Sequence, residues 1–225
     1  MDVERNLREL EKRIAIAAER SGRSLAEITI VAVTKEVEPE AIEAGIKAGI
    51  RHIGENKVQE ARGKVERLTN LEPRPVWHMV GHLQNNKVKT AVEIFDIIHS
   101  VDSVRLAQAV SQRAQSTIPV LLQVNISGEG TKSGFSVVEL SQAAEEIARL
   151  PRLEVKGLMT IAPMVADTEE VRPIFRKLRQ LRDELGLEHL SMGMTDDFEV
   201  AVEEGATLLR VGRAIFGPSE EDHRG

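Results

Sequence analysis

Three stretches of this chain combine residue types that can do chemistry. "VAVTK" ends a β-branched run on Lys35. "SMGMT" sets Ser191, Gly193, Met194 and Thr195 together, and "RVGR" follows with Arg210, Gly212 and Arg213. An amine emerging from an apolar run is partly desolvated, which lowers its pKa and lets it form a Schiff base with an aldehyde. The ordinary reading is a strand-end lysine whose stem is covered and whose head reaches water. Glycines beside hydroxyls expose backbone N–H groups to an anion, such as a phosphate, although glycines also serve tight strand-to-helix turns. A buried Arg210 requires a partner, because an unpaired guanidinium inside a protein is costly. A carboxylate from another strand or a ring nitrogen of a bound cofactor would each satisfy it.

"WHMVGHLQNNK" carries His78 and His82, four residues apart. Gly81 and the strand-like pattern around His78 spoil the shared helical face of a His–x3–His metal site, and no third ligand is evident, so no metal is expected. Hydrogen bonding near the site is the simpler role for this pair. "LQNNK" reads as a capped helix start or an outer phosphate contact.

These residues need elements to carry them. Short strand-like runs occur at 28–35, 51–56, 76–81, 96–101, 119–126, 154–161, 189–194 and 208–215, and helical apolar spacing fills the segments between them. Ahead of the first run, Val3, Leu7, Leu10, Ile14 and Ala17 or Ala18 recur at helical spacing, and Gly22 closes that helix. Eight strands alternating with helices in 225 residues, with no linker or repeat, predict one domain over 1–225. Its class is α/β, a single (β/α)8 TIM barrel with an extra N-terminal helix; a doubly wound open sheet is the rival. In either fold the strand ends gather chemistry. They bring Lys35, Glu55, Asn56, His78, Gly81, His82, Ser100, Asp102, Asn125 and Thr160 toward the Ser191–Thr195 and Arg210–Arg213 corner.

Composition narrows the classes. The net charge of −6 argues against a nucleic-acid binder, and no basic cluster offsets it. There is no Cys, hence no disulfide or thiolate metal site, and no Tyr. The charged, amphipathic N-terminus lacks the apolar core of a secretory signal, and no apolar run is long enough to span a membrane. A cytoplasmic, membrane-free protein is expected. No exposed apolar seam can be identified, and a monomer is expected.

"VAVTK", "GENKVQE", "WHMVGHLQNNK" and "LSMGMTDDFEVAVEEGATLLRVGRAIFG" together resemble the pyridoxal phosphate homeostasis protein family, from about residue 5 to residue 217. The resemblance implies a barrel like the N-terminal domain of alanine racemase and pyridoxal 5'-phosphate (PLP) as cofactor. It implies that Lys35 holds PLP as a Schiff base and that Asn56 lies beside the ring. Ser191, Gly193, Met194, Thr195, Gly212 and Arg213 would bind the phosphate, and Arg210 would face the pyridine nitrogen. Thr195 stands where many members have Ser, and Arg213 where many have Thr or Ser, so the Arg213 backbone N–H is a safer contact than its side chain.

A guanidinium opposite the pyridine nitrogen disfavours its protonation, which weakens the ring as an electron sink. Racemisation also needs an acid/base group on each face of the substrate carbon. The alanine racemase family uses the Schiff-base lysine and a Tyr from a second domain; this chain has no Tyr. The expected function is therefore PLP (vitamin B6) homeostasis without appreciable turnover, with apo-enzymes as recipients of the cofactor. The alternatives are a small PLP-dependent amino-acid racemase or lyase, and a phosphate-sugar barrel enzyme using Lys35 on its own substrate. Lys132, in the Gly-rich "ISGEGTKSGF", is a secondary aldehyde acceptor or an ordinary loop lysine.

Overall fold

The computed structural model describes residues 2–128 and 133–217. Lys132 lies outside them. Eight parallel strands close into a barrel in chain order: β1 (Thr29–Val33), β2 (His52–Glu55), β3 (Val76–Met79), β4 (Ile97–Val101), β5 (Ile118–Gln123), β6 (Leu153–Met159), β7 (His189–Ser191) and β8 (Leu208–Val211). The β1–β8 pairing closes it, with Val31 opposite Arg210 and Ala32 opposite Val211. All eight sequence-read strands are present, and all but β4 end short of the run that announced them. The extra helix is there too: α1 (Val3–Arg20) buries Val3, Leu7, Leu10, Ile14, Ala17 and Ala18, the spacing read from the sequence. Asp2 caps its first turn through Arg5 N–H, and Gly22 leaves it at φ 69°.

The outer layer continues with α2 (Pro39–Lys47), α3 (Val58–Arg67), α4 (Val88–Ile94), α5 (Val104–Arg113), α6 (Leu140–Ala148), α7 (Arg172–Glu184), α8 (Phe198–Glu203) and α9 (Arg213–Phe216). A 3-10 turn over Asn85–Lys87 leads into α4, so "LQNNK" does start a helix, but no side chain caps either element among the described residues. Period-two alternation divides each strand between two cores. The larger core joins the outward strand faces to the helices. A smaller one, Val31, Val80, Leu121, Met159 and Leu208, lies inside the barrel. Gly54 belongs to that inner face: a Cβ there would come within 3.0 Å of Val31 Cγ1 and 3.4 Å of Val80. Apolar filling leaves the inner positions of β3, β4, β7 and β8 to His78, His99, Ser191 and Arg210.

Candidate functional site

Arg210 anchors the site. It lies on β8 directly across from Val31 of β1, is 5% exposed, and donates to Ser191 Oγ at 2.7 Å and to the Thr160 carbonyl at 2.9 Å. Among the described residues no carboxylate comes within salt-bridge distance of it. Burial lowers its pKa to about 10, and Asp197 opposes that shift from a distance. A guanidinium has five N–H donors, so Arg210 keeps donors beyond these two bonds for a further acceptor.

Ser191 is fully buried and belongs to this interior group rather than to the rim. Its hydroxyl joins Arg210 to His99 Nδ1 at 2.8 Å. His99 Nε2 meets His78 Nδ1 at 2.8 Å, and His78 Nε2 meets His52 Nδ1 at 2.9 Å. A continuous file of hydrogen bonds thus runs from Arg210 through the barrel core to His52, which is half-buried at the N-terminal end of β2. Burial lowers the pKa of His78 to about 3, and that of His99 well below the ordinary imidazole value; neighbouring imidazoles and, for His99, Arg210 push the same way. Both rings are neutral near pH 7, so each can donate from one nitrogen and accept at the other along the file.

Lys35 follows β1 at the mouth, half-buried, in the turn that precedes α2. Thr34 N–H donates to the Gly54 carbonyl at 3.0 Å, so this turn is stitched to β2. Asn56 is half-buried at the end of β2. Gly81 packs against its backbone so closely that a Cβ would approach Asn56 O to 2.4 Å. Glu55, read as a mouth residue, instead faces α3: its Oε1 accepts from Thr34 Oγ1 and from Lys64 Nζ at 2.8 Å. Its Oε2 is buried without a hydrogen-bond partner among the described residues, and burial raises the Glu55 pKa against the pull of Lys64.

The turns after β7 and β8 form the far corner. Gly193 is buried at φ 90°, and a Cβ there would come within 2.5 Å of Ala201 Cβ, so this turn requires glycine. Met194 is exposed, and its N–H donates to Asp197 Oδ1 at 2.6 Å; Asp197 occupies the N-cap position of α8. Thr195 is half-buried beside it. Gly212 caps α9 and lies against the β1 end, where its Cβ would meet the Val33 carbonyl at 2.9 Å. The Arg213 side chain turns outward to pair with Asp196, leaving its backbone at the corner.

His82 pairs with Asp102 at 3.2 Å, well apart from the chemistry of His78, and among the described residues no three ligating side chains converge as a metal site. Ser100 is buried on β4, and its hydroxyl has no hydrogen-bond partner among the described residues. The structure therefore brings Lys35, Gly212 and Arg210 to the β1–β8 seam, with the Gly193–Thr195 turn beyond. It withdraws Glu55 from the mouth. Sequence reasoning missed His52 and His99; their shared signal is a histidine inside an otherwise apolar strand, which shows its partner only once the strand register is known.

The family described as the alanine racemase N-terminal domain matches residues 6–220. The chain is 45% identical over 223 residues to the pyridoxal phosphate homeostasis protein of Aquifex aeolicus, covering 95% of this chain and 96% of that one. A crystal structure of an unknown protein from Bifidobacterium adolescentis superposes with a TM-score of 0.87 at 38% identity, covering 96% of this chain and 94% of the other. The structure of PipY from Synechococcus elongatus with PLP bound gives 0.81 at 37% identity, covering 92% and 99%.

Proposed function

The chain belongs to the pyridoxal phosphate homeostasis protein family, built on the alanine racemase N-terminal domain, and from that premise we propose that it binds PLP and holds it without appreciable turnover. The observation that carries the reading is the β1–β8 register, which sets the strand leading into the Lys35 turn beside a buried guanidinium whose partners among the described residues are neutral. A pyridine nitrogen is a neutral acceptor and fits the remaining N–H groups of Arg210; a carboxylate at that position would instead favour its protonated form. The turn after β7 is the place for the phosphate in this reading; its Gly193 lets the chain turn at φ 90° while packed against Ala201.

When bound, PLP supplies an aldehyde for amines and an electron-withdrawing ring. Lys35 is the residue to hold that aldehyde covalently. Asn56 flanks the ring, Thr195 offers a hydroxyl to the phosphate, and Gly193, Gly212 and Arg213 offer backbone N–H groups. Ser191 contributes from the barrel interior by fixing Arg210, and Met194 contributes at the corner by fixing the turn through Asp197. Arg210 keeps a permanent positive charge at the ring nitrogen's side, which opposes carbanion chemistry and suits storage. The buried His78 and His99 are held neutral behind it and offer no proton to a substrate at the mouth. Delivery to apo-enzymes, a monomeric state and a cytoplasmic location complete the reading. Among the described residues no helix is long and apolar enough to cross a membrane.

A visible absorption band in the PLP-treated protein, lost in Lys35→Ala, is the expected result. No band would refute PLP binding through Lys35 and favour a barrel enzyme using that lysine on its own substrate. Loss of optical purity in an added amino acid would replace storage with a racemase; release of a product other than its mirror image would indicate a lyase.

A further inference from the structure

Both peptide groups that bracket Lys35 are gripped from α3. On one side the Thr34 carbonyl accepts a hydrogen bond from Lys64 Nζ at 2.5 Å. On the other the Glu36 N–H donates to Glu60 Oε1 at 2.7 Å. Lys64 and Glu60 stand one helical turn apart and pair with each other at 2.6 Å. The third proton of Lys64 goes to Glu55 Oε1 at 2.8 Å, so its ammonium has three fixed acceptors. Its side chain is 8% exposed. This is unlike a surface lysine pair, which holds nothing in place.

The grip sits where the chain needs one. Glu36 has φ 58°, in the left-handed region that side chains with a Cβ adopt reluctantly unless their surroundings impose it. Its conformation sets how the chain leaves Lys35, and the Thr34 carbonyl sets how it enters. The same cluster reaches the end of β2 through Glu55, the neighbour of Asn56. We infer that Lys64 and Glu60 form a backbone clamp that presents the Lys35 amine to the mouth, as positioning residues that never touch the ligand. The inference rests on the proposed attachment of PLP to Lys35.

Two variants of Glu60 separate a clamp from a mere helix contact. Glu60→Gln keeps an oxygen for the Glu36 N–H; Glu60→Ala removes it while leaving Lys64 paired to Glu55 and the Thr34 carbonyl. Without PLP, hydrogen exchange at the Glu36 amide should quicken at least tenfold in Glu60→Ala and stay near wild type in Glu60→Gln. If the competent turn falls to about a tenth of molecules, PLP affinity, titrated by absorbance, falls about tenfold. Lys64→Met, read the same way beside its melting temperature, should lose at least as much affinity. Should wild-type protein take up no PLP at Lys35, the reading beneath the clamp fails and the clamp with it. Unchanged exchange and affinity in Glu60→Ala, in protein that does bind PLP, would overturn the clamp alone. Equal losses in Glu60→Ala and Glu60→Gln would overturn it too, since the retained oxygen would then count for nothing.

Discussion

The imidazole file inside the barrel makes acid a specific solvent for unfolding, and the effect can be sized. In the unfolded chain each histidine titrates near 6.5. In the fold, burial holds His78 at about 3 and His99 well below its ordinary value. The native state therefore binds fewer protons than the unfolded one, and stability is lost as pH falls from about 6.5 toward the folded values. Between pH 7.5 and pH 5.0 each such histidine withdraws about 2 kcal/mol, or about 4 kcal/mol for the pair. Glu55 and Asp197, whose pKa values burial raises, act in the opposite sense at lower pH, and the half-buried His52 and His189 add smaller losses in the same direction. Comparing wild type with His99→Asn cancels those shared contributions. Urea unfolding of both cofactor-free proteins across that range should show curves that converge by about 2 kcal/mol toward acid, whatever constant offset the substitution introduces. Curves parallel to within about 0.5 kcal/mol would refute the buried, neutral assignment of His99.

Three further outcomes follow from single contacts. Ser191→Ala removes the hydroxyl shared by Arg210 and His99 and should cost about 1–3 kcal/mol in urea unfolding, because two buried polar groups lose a partner. Gly193→Ala should destabilise by about 1–3 kcal/mol and weaken PLP uptake, since φ 90° and the 2.5 Å approach to Ala201 both resist a Cβ. Arg210→Met should leave the cofactor-free protein at least as stable in a melting experiment, because a buried cation without a counter-ion is replaced by apolar volume, yet it should bind PLP more weakly.

The architecture was legible because its signal is repetitive. Eight β-branched runs separated by helical spacing leave few topologies, and the α1 face from Val3 to Ala18 was readable residue by residue. The strand ends were less legible. Lys35 and Gly193 could be placed at a mouth from position alone, but Glu55 could not be excluded from it, since a one-residue difference in parity turns a side chain from the barrel interior to the helix layer. The file from His52 to Ser191 depends on contacts between strands far apart in sequence, which no local pattern encodes. The grip of α3 on the Lys35 turn was hidden for another reason: "KVQEARGKVERL" has the spacing of an ordinary barrel helix, and nothing local marks Lys64 as buried.

The most direct measurement of the account is the location of the cofactor bond. Protein incubated with PLP, reduced with borohydride and digested should yield the pyridoxyl-phosphate mass on the peptide containing Lys35, at close to one per chain. The same label spread over surface lysines, or concentrated on another lysine while Lys35 stays unmodified, would contradict it.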